Sequence, residues 1–159
     1  MIKVLFVCTG NICRSPMAEA VFQDMVNKAG LSDRIHVDSV GTSGEEVGNT
    51  IHRGTMGVLS KHGIPYNPRR PAREITDADF ARSDVLLAME HSHLNFLRRY
   101  GGTHAGKARL FLHDAREAGT VTMENVPDPW YDGQFDRTYD LVTKGCAALL
   151  SRLRAEHGL

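Results

Sequence analysis

A chain of 159 residues has room for one domain, which buries about 70% of the surface its unfolded form exposes. Lysine plus arginine and aspartate plus glutamate number 19 each, so no net field draws the protein to nucleic acid or an anionic membrane, and any anion it binds is bound locally. No apolar run approaches the roughly 20 residues that span a bilayer, no secretory signal opens the chain, and three cysteines make no disulfide framework; the expectation is a cytoplasmic protein in which thiols do chemistry rather than cross-link.

No repeat or shift in composition divides the chain, so residues 1–159 are expected to form a single domain. Ile2 to Val7 is an almost continuous apolar run rich in β-branched residues, the pattern of a strand buried on both faces. Ser15 and Pro16 then read as a helix start, a capping hydroxyl followed by proline at the first helical position, and Gly30 as its stop. Between them Met17, Val21 and Met25 repeat every four residues, with Phe22 and Val26 widening the apolar stripe. A second strand, Ile35 to Ser39, completes a strand–helix–strand unit with an expected right-handed crossover.

Val85 to Met89 and Ala108 to Leu112 read as two further strands, preceded by helices around Arg53 to Lys61 and Ser92 to Tyr100. In the closing helix Phe135, Tyr139, Val142, Cys146, Leu149 and Leu153 follow one face, which places Cys146 in the core. The predicted fold is α/β, a flavodoxin-like three-layer arrangement around a four-stranded parallel sheet; such sheets bind ligands at the carboxyl ends of their strands.

At that end of the first strand stands Cys8-Thr9-Gly10-Asn11-Ile12-Cys13-Arg14-Ser15. A loop that closes onto a helix N-terminus presents free backbone amides and a positive dipole end, suited to a phosphate-sized anion. Gly10 and Asn11 tolerate the left-handed backbone of such a cradle. The dipole and the Arg14 guanidinium favour the thiolate of Cys8, the nucleophilic form of a cysteine. Arg14 can also donate two parallel hydrogen bonds to phosphoryl oxygens, and the Ser15 hydroxyl can donate to the Cys8 sulfur. Singly, Cys8 reads as a small buried apolar residue and Arg14 as a surface charge; their spacing across a strand end and a helix start favours chemistry. The Gly-Lys-Ser/Thr ending of an adenine-nucleotide loop is missing.

The run Val4-Leu5-Phe6-Val7-Cys8-Thr9-Gly10-Asn11-Ile12-Cys13-Arg14-Ser15-Pro16-Met17-Ala18-Glu19-Ala20 resembles the opening of the low-molecular-weight protein tyrosine phosphatases. Val37-Asp38-Ser39, Thr42-Ser43-Gly44, Gly48-Asn49, His62-Gly63-Ile64, Ala72-Arg73 and Asp128-Pro129 follow in the order of that family. The resemblance implies a flavodoxin-like fold, no metal and no other cofactor, a phosphotyrosine-containing protein or peptide as partner, and Cys8, Arg14 and Asp128 as nucleophile, phosphate clamp and general acid. It also associates Cys13 with a reversible disulfide that shields the nucleophile; a small packed residue is the alternative.

The residues around Asp128 read on their own as a rigid turn with an exposed aspartate; beside the cysteine loop they suit an acid. Asn125 to Gly133 lies in a long connection after the fourth strand, at the same edge of the sheet as Cys8, and connections of that length are usually functional. Pro127 and Pro129 restrict the backbone of Asp128. Asp132 is the nearest rival, and Trp130 and Tyr131 read either as packing residues or as the wall beside a substrate ring. Expected substrate contacts are therefore Thr9, Gly10, Asn11, Ile12, Cys13, Ser15, Trp130 and Tyr131.

Two departures from the family stand out. Glu45 occupies a position often aromatic in relatives, and Arg70 falls where relatives commonly carry a histidine supporting the phosphate loop; the arginines of this proline-rich segment read as solvated. His91 and His93 diverge on a predicted helix start and complete no metal-ligand spacing. Alternative readings are a thiol-dependent arsenate reductase, for which Cys146 is a poorly placed relay, a phosphoarginine phosphatase, which tends to have threonine at the position of Ile12, and a noncatalytic phosphate-binding or redox-sensing module.

Overall fold

The computed structural model describes residues 1–159. Its centre is the strand Ile2–Cys8 (β1), flanked by Ile35–Gly41 (β2) on one side and Val85–Ala88 (β3) on the other. Ala108–Leu110 (β4) lies outside β3, giving four parallel strands in the order β2-β1-β3-β4. The helices are Arg14–Lys28 (α1), Arg53–Lys61 (α2), Asp77–Arg82 (α3), His91–Tyr100 (α4), His113–Glu117 (α5), Pro129–Asp132 (α6) and Phe135–His157 (α7). None is long and apolar enough to cross a membrane.

Alternation along β1 explains the three layers, because successive side chains of a strand point to opposite faces. Val4, Phe6 and Cys8 enter a core shared with Met17, Val21 and Phe22 of α1 and Val142, Cys146 and Leu149 of α7. Leu5 and Val7 enter the other core, with Phe80 of α3 and Leu94 and Leu97 of α4. Phe6 anchors the larger core through edge-on contacts with Phe22 and Phe111, at ring-centroid distances of 5.7 and 5.6 Å. Both faces of β1 are therefore dry, which is why its sequence is a continuous apolar run.

Four local expectations need correction. α1 begins at Arg14, with Cys13 at its cap position and no capping side chain. Pro16 is thus the third helical residue, where an amide donor is still not required, and the Ser15 hydroxyl is drawn elsewhere. β4 ends at Leu110; the Phe111 amide still donates to the Ala88 carbonyl of β3 at 2.8 Å, and Phe111 and Leu112 stay fully buried beyond the strand. α3 was not expected, although Thr76 and Asp79 form a reciprocal capping box at its start, a pattern visible in the sequence. The connection after β4 is not featureless, since it carries α5 and α6.

One glycine positions the site. Cys8 pairs with Gly41 at the carboxyl end of the sheet, and a Cβ on Gly41 would lie 2.5 Å from the Thr9 carbonyl oxygen. Only glycine lets β2 pass this close beneath the loop that follows Cys8.

Candidate active site

Cys8 is the last residue of β1 and Arg14 the first of α1, so the intervening five residues turn between a strand end and a helix N-terminus. Asn11 takes the left-handed backbone at the turn, with φ of 60°, and no other non-glycine residue has positive φ. Its side-chain amide is buried and fully used. Nδ2 donates to Ser15 Oγ at 2.8 Å and to Ser39 Oγ at 3.0 Å, while Oδ1 accepts from Arg70 Nη1 at 3.0 Å and from the Arg73 backbone at 3.1 Å. Four hydrogen bonds hold the one strained residue of the loop.

The same network directs the hydroxyl next to the sulfur. Ser15 Oγ lies 3.0 Å from Cys8 Sγ and accepts from Asn11 Nδ2; its single proton can go to the sulfur or, over a longer 3.4 Å, to the Val40 carbonyl, and a thiolate is the closer and stronger acceptor. This explains why Ser15 does not cap α1. Arg14 is buried and aimed from both sides: Nη1 donates to the Val126 carbonyl at 2.9 Å and lies 3.5 Å from Glu90, and Nη2 reaches Asp128 Oδ2 at 3.3 Å.

Cys8, Cys13 and Cys146 are all free thiols, and all are buried. Burial, then the proximity of Cys8 and Asp128, pushes the Cys13 thiol up to about 12 against the pull of Arg14, so Cys13 stays protonated at neutral pH. Cys146 is raised by burial alone inside α7. Cys8 is the cysteine with a hydroxyl 3.0 Å from its sulfur.

A cleft of about 160 Å³ opens over the loop. Cys8, Thr9, Gly10, Ile12, Cys13 and Arg14 form its floor, and Asp128, Trp130, Tyr131, Ser43, Glu45 and Glu46 its walls. Of the residues expected to contact substrate, Asn11 and Ser15 stand behind the loop and the others line the cleft. Asp128 caps α6, with Oδ1 accepting from the Trp130 backbone at 3.0 Å. Its rival Asp132 is committed elsewhere, accepting from the Gln134 backbone at 2.8 Å and pairing with Arg137 at 2.8 Å. Trp130 and Tyr131 are 54% and 86% exposed, so neither is a core packing residue.

Arg70 is not solvated. Its side chain is only 14% exposed; besides Asn11 it reaches the Ser39 carbonyl at 2.8 Å and Glu19 at 3.1 Å. Burial raises the Glu19 carboxyl, and Arg70 works against that shift. Arg73 is half-buried between Asp38 at 2.7 Å and Asp79 at 2.9 Å. Burial would raise Asp79, yet the hydrogen bonds from Arg73 and Thr76 together hold it below the usual carboxylate range.

Three further residues escaped the sequence reading. Glu90 steadies Arg14; burial of its carboxyl is outweighed by the Arg14 charge together with the Ser92 hydrogen bond, which hold it below the usual carboxylate range. His93 is buried with Nε2 2.8 Å from Thr9 Oγ1, whereas His91 turns to Glu124 at 2.8 Å, so the two rings diverge. His52 stacks on Phe135 at 5.1 Å and meets the Trp130 ring edge-on at 5.5 Å, bracing the cleft wall. An acidic pair to Arg14 and an aromatic neighbour to Trp130 carry no local sequence signal, because both arrive across the fold.

A family model described as low molecular weight phosphotyrosine protein phosphatase matches residues 3–158. The low molecular weight protein-tyrosine-phosphatase YfkJ of Bacillus subtilis is 37% identical over 163 residues, covering 100% of both chains. Its crystal structure superimposes with a TM-score of 0.92, covering 99% of this chain and 97% of that one. The human low molecular weight phosphotyrosine protein phosphatase is 38% identical over 153 residues, 94% of each chain. A Drosophila arginine phosphatase superimposes with a TM-score of 0.85 at 30% identity, covering 96% of this chain and 98% of that one. With its sheet order, phosphate-sized loop and near-complete match, the chain belongs to the low molecular weight phosphotyrosine protein phosphatase family.

Proposed function

We propose that residues 1–159 act as one phosphatase domain that hydrolyses phosphotyrosine in proteins or peptides through a cysteinyl-phosphate intermediate. The observation that carries this reading is the convergence on one cleft of Cys8, with a hydroxyl donor 3.0 Å from its sulfur, and Asp128, held 3.3 Å from the Arg14 guanidinium. In the first step Cys8 Sγ attacks phosphorus, the S–P bond forms and the P–O bond to the aryl group breaks. Arg14 and the loop amides take the charge on the non-bridging oxygens, and the Asp128 carboxyl gives its proton to the departing phenolate.

In the second step the Asp128 carboxylate takes a proton from water, whose oxygen attacks phosphorus. The S–P bond breaks, inorganic phosphate leaves, and the sulfur departs as a thiolate stabilised by the Ser15 hydroxyl. Free, buried thiols suit the reducing cytoplasm, where we place this activity.

Ile12 in the cleft floor and the exposed rings of Trp130 and Tyr131 favour a flat aryl group over a guanidinium, and thus phosphotyrosine over phosphoarginine. Cys146, sealed inside α7, cannot relay a disulfide away from the loop, as an arsenate reductase requires. Steady-state hydrolysis of phenyl phosphate in EDTA tests the proposal. Turnover by the wild type and none by Cys8→Ser is expected; activity surviving in Cys8→Ser, or none in reduced wild type, would sink it.

A further inference from the structure

His93 is 2% exposed, lies on α4 outside the cleft and touches the phosphate loop at one point, Thr9 Oγ1. Its Nε2 lies 2.8 Å from that oxygen and 3.7 Å from Glu90 Oε1, and its buried Nδ1 has no partner. Burial, with the nearby Arg14 charge, outweighs the attraction of Glu90 and lowers the ring to about 4, so at neutral pH it is uncharged and carries a single N–H.

That proton has two possible places. On Nδ1 it would be a buried donor without an acceptor, and the Nε2 lone pair would face the Glu90 carboxylate. On Nε2 it donates to Thr9 Oγ1, lies towards that carboxylate, and leaves at Nδ1 only a bare acceptor. An orphaned N–H is the rarer and costlier defect, and an N–H beside a carboxylate is attracted where a lone pair is repelled. Both arguments select the Nε2 proton. The Thr9 oxygen then serves as acceptor and its own hydrogen is left free. Thr9 is exposed and lines the cleft over Cys8 and Arg14, so the hydrogen can be directed at an oxyanion bound there.

We propose that the Thr9 hydroxyl is a side-chain donor to the bound phosphoryl group, and that His93 is the positioning residue that makes it one by filling its oxygen from behind. The assignment rests on the phosphatase reading above and adds to it a contact that the loop amides and Arg14 do not supply. It also links the two ends of the loop: α4 reaches Thr9 through His93 and Arg14 through Glu90, whose Oε1 is held by Ser92 Oγ at 2.9 Å.

The test is competitive inhibition by inorganic phosphate of phenyl phosphate hydrolysis, with the full chain in EDTA. Thr9→Val and His93→Phe should each raise the phosphate inhibition constant about 10- to 100-fold, the loss of one hydrogen bond to a charged group. The double variant should be no worse than either single one. Thr9→Ser and His93→Gln, which keep the hydroxyl and the N–H, should stay within about twofold of wild type. An unchanged constant in Thr9→Val overturns the proposal, as does a His93→Phe effect that persists undiminished in the Thr9→Val background, the mark of a purely structural histidine.

Nitrogen NMR of the labelled wild-type protein gives an answer without any variant. The Nε2–H form of His93 is expected at neutral pH, and the Nδ1–H form contradicts the argument. Phosphate inhibition of an active wild type that is indifferent to Thr9 defeats this assignment alone; a wild type with no turnover and no phosphate binding defeats the phosphatase reading with it.

Discussion

The phosphate loop and the segment carrying Asp128 face each other across one cleft and are built in opposite ways. Asn11 uses every hydrogen-bonding group of its amide, Ser15 is held between Asn11 and the sulfur, and Arg70 ties both to Ser39 and Glu19. On the other side, Asp128 is held by a single backbone amide and the Arg14 guanidinium, and the rings beside it are largely exposed. In the proposed mechanism the loop that places the nucleophile and the oxyanion is over-determined, whereas the side assigned to the substrate ring is left open. Preorganisation is concentrated where charge develops, and adaptability where the substrate varies.

If that division is right, substitutions in the two regions fail differently. Asp128→Asn should lower kcat for phenyl phosphate about 10³-fold by removing the proton donor, and much less for p-nitrophenyl phosphate, whose leaving group needs little protonation. Equal losses on both substrates would mean that Asp128 acts on the clamp rather than on the leaving group.

The braces behind the loop predict an acid-labile fold. His93 titrates near 4 when folded, against an ordinary value of about 6.5 in the unfolded chain. Between those values the unfolded chain binds the extra proton, so stability falls as pH drops through the window, by up to about 3 kcal/mol. Glu90, kept below its usual range by Arg14 and the Ser92 hydrogen bond together despite its burial, adds a loss in the same direction. Urea unfolding between pH 7 and pH 4 should show this slope, and His93→Gln should flatten it; an unchanged slope in the variant would exclude His93 as the source.

Arg70→Met tests the network from the opposite side. It leaves Glu19 without its cation and Asn11 Oδ1 with one donor fewer. The expected cost is about 2 kcal/mol of stability, with a roughly 10-fold fall in kcat and little change in KM. A solvated surface arginine would show neither. The smallest effect belongs to the rim: Tyr131→Ala should raise KM for a phosphotyrosine peptide about threefold, with Tm and kcat unchanged. A large fall in kcat there would erase the distinction between cradle and rim.

The two regions also differ in how far the sequence revealed them. The placement of Cys8 and Arg14 was legible because it is local, a cysteine at a strand end and an arginine at the next helix start. The closing helix was legible from its apolar period. The braces were not. Arg70 reaches Asn11 from a proline-rich segment that resembles solvated coil, and His93 reaches Thr9 across 84 positions of sequence. Ser15 was misplaced as a cap because sequence gives its type and not its partner: the sulfur and Asn11 compete for the hydroxyl that a helix end would otherwise use. α3 announced itself in Thr76 and Asp79, but it buries only Phe80 and so shows no period.

The most direct test of the account is to trap the intermediate. Wild-type protein turning over radiolabelled phenyl phosphate would be quenched in acid within the first turnovers and its peptides mapped. The account predicts transient label on the peptide carrying Cys8 and none in Cys8→Ser. Steady release of phosphate with no labelled protein, or label on any other residue, would contradict it.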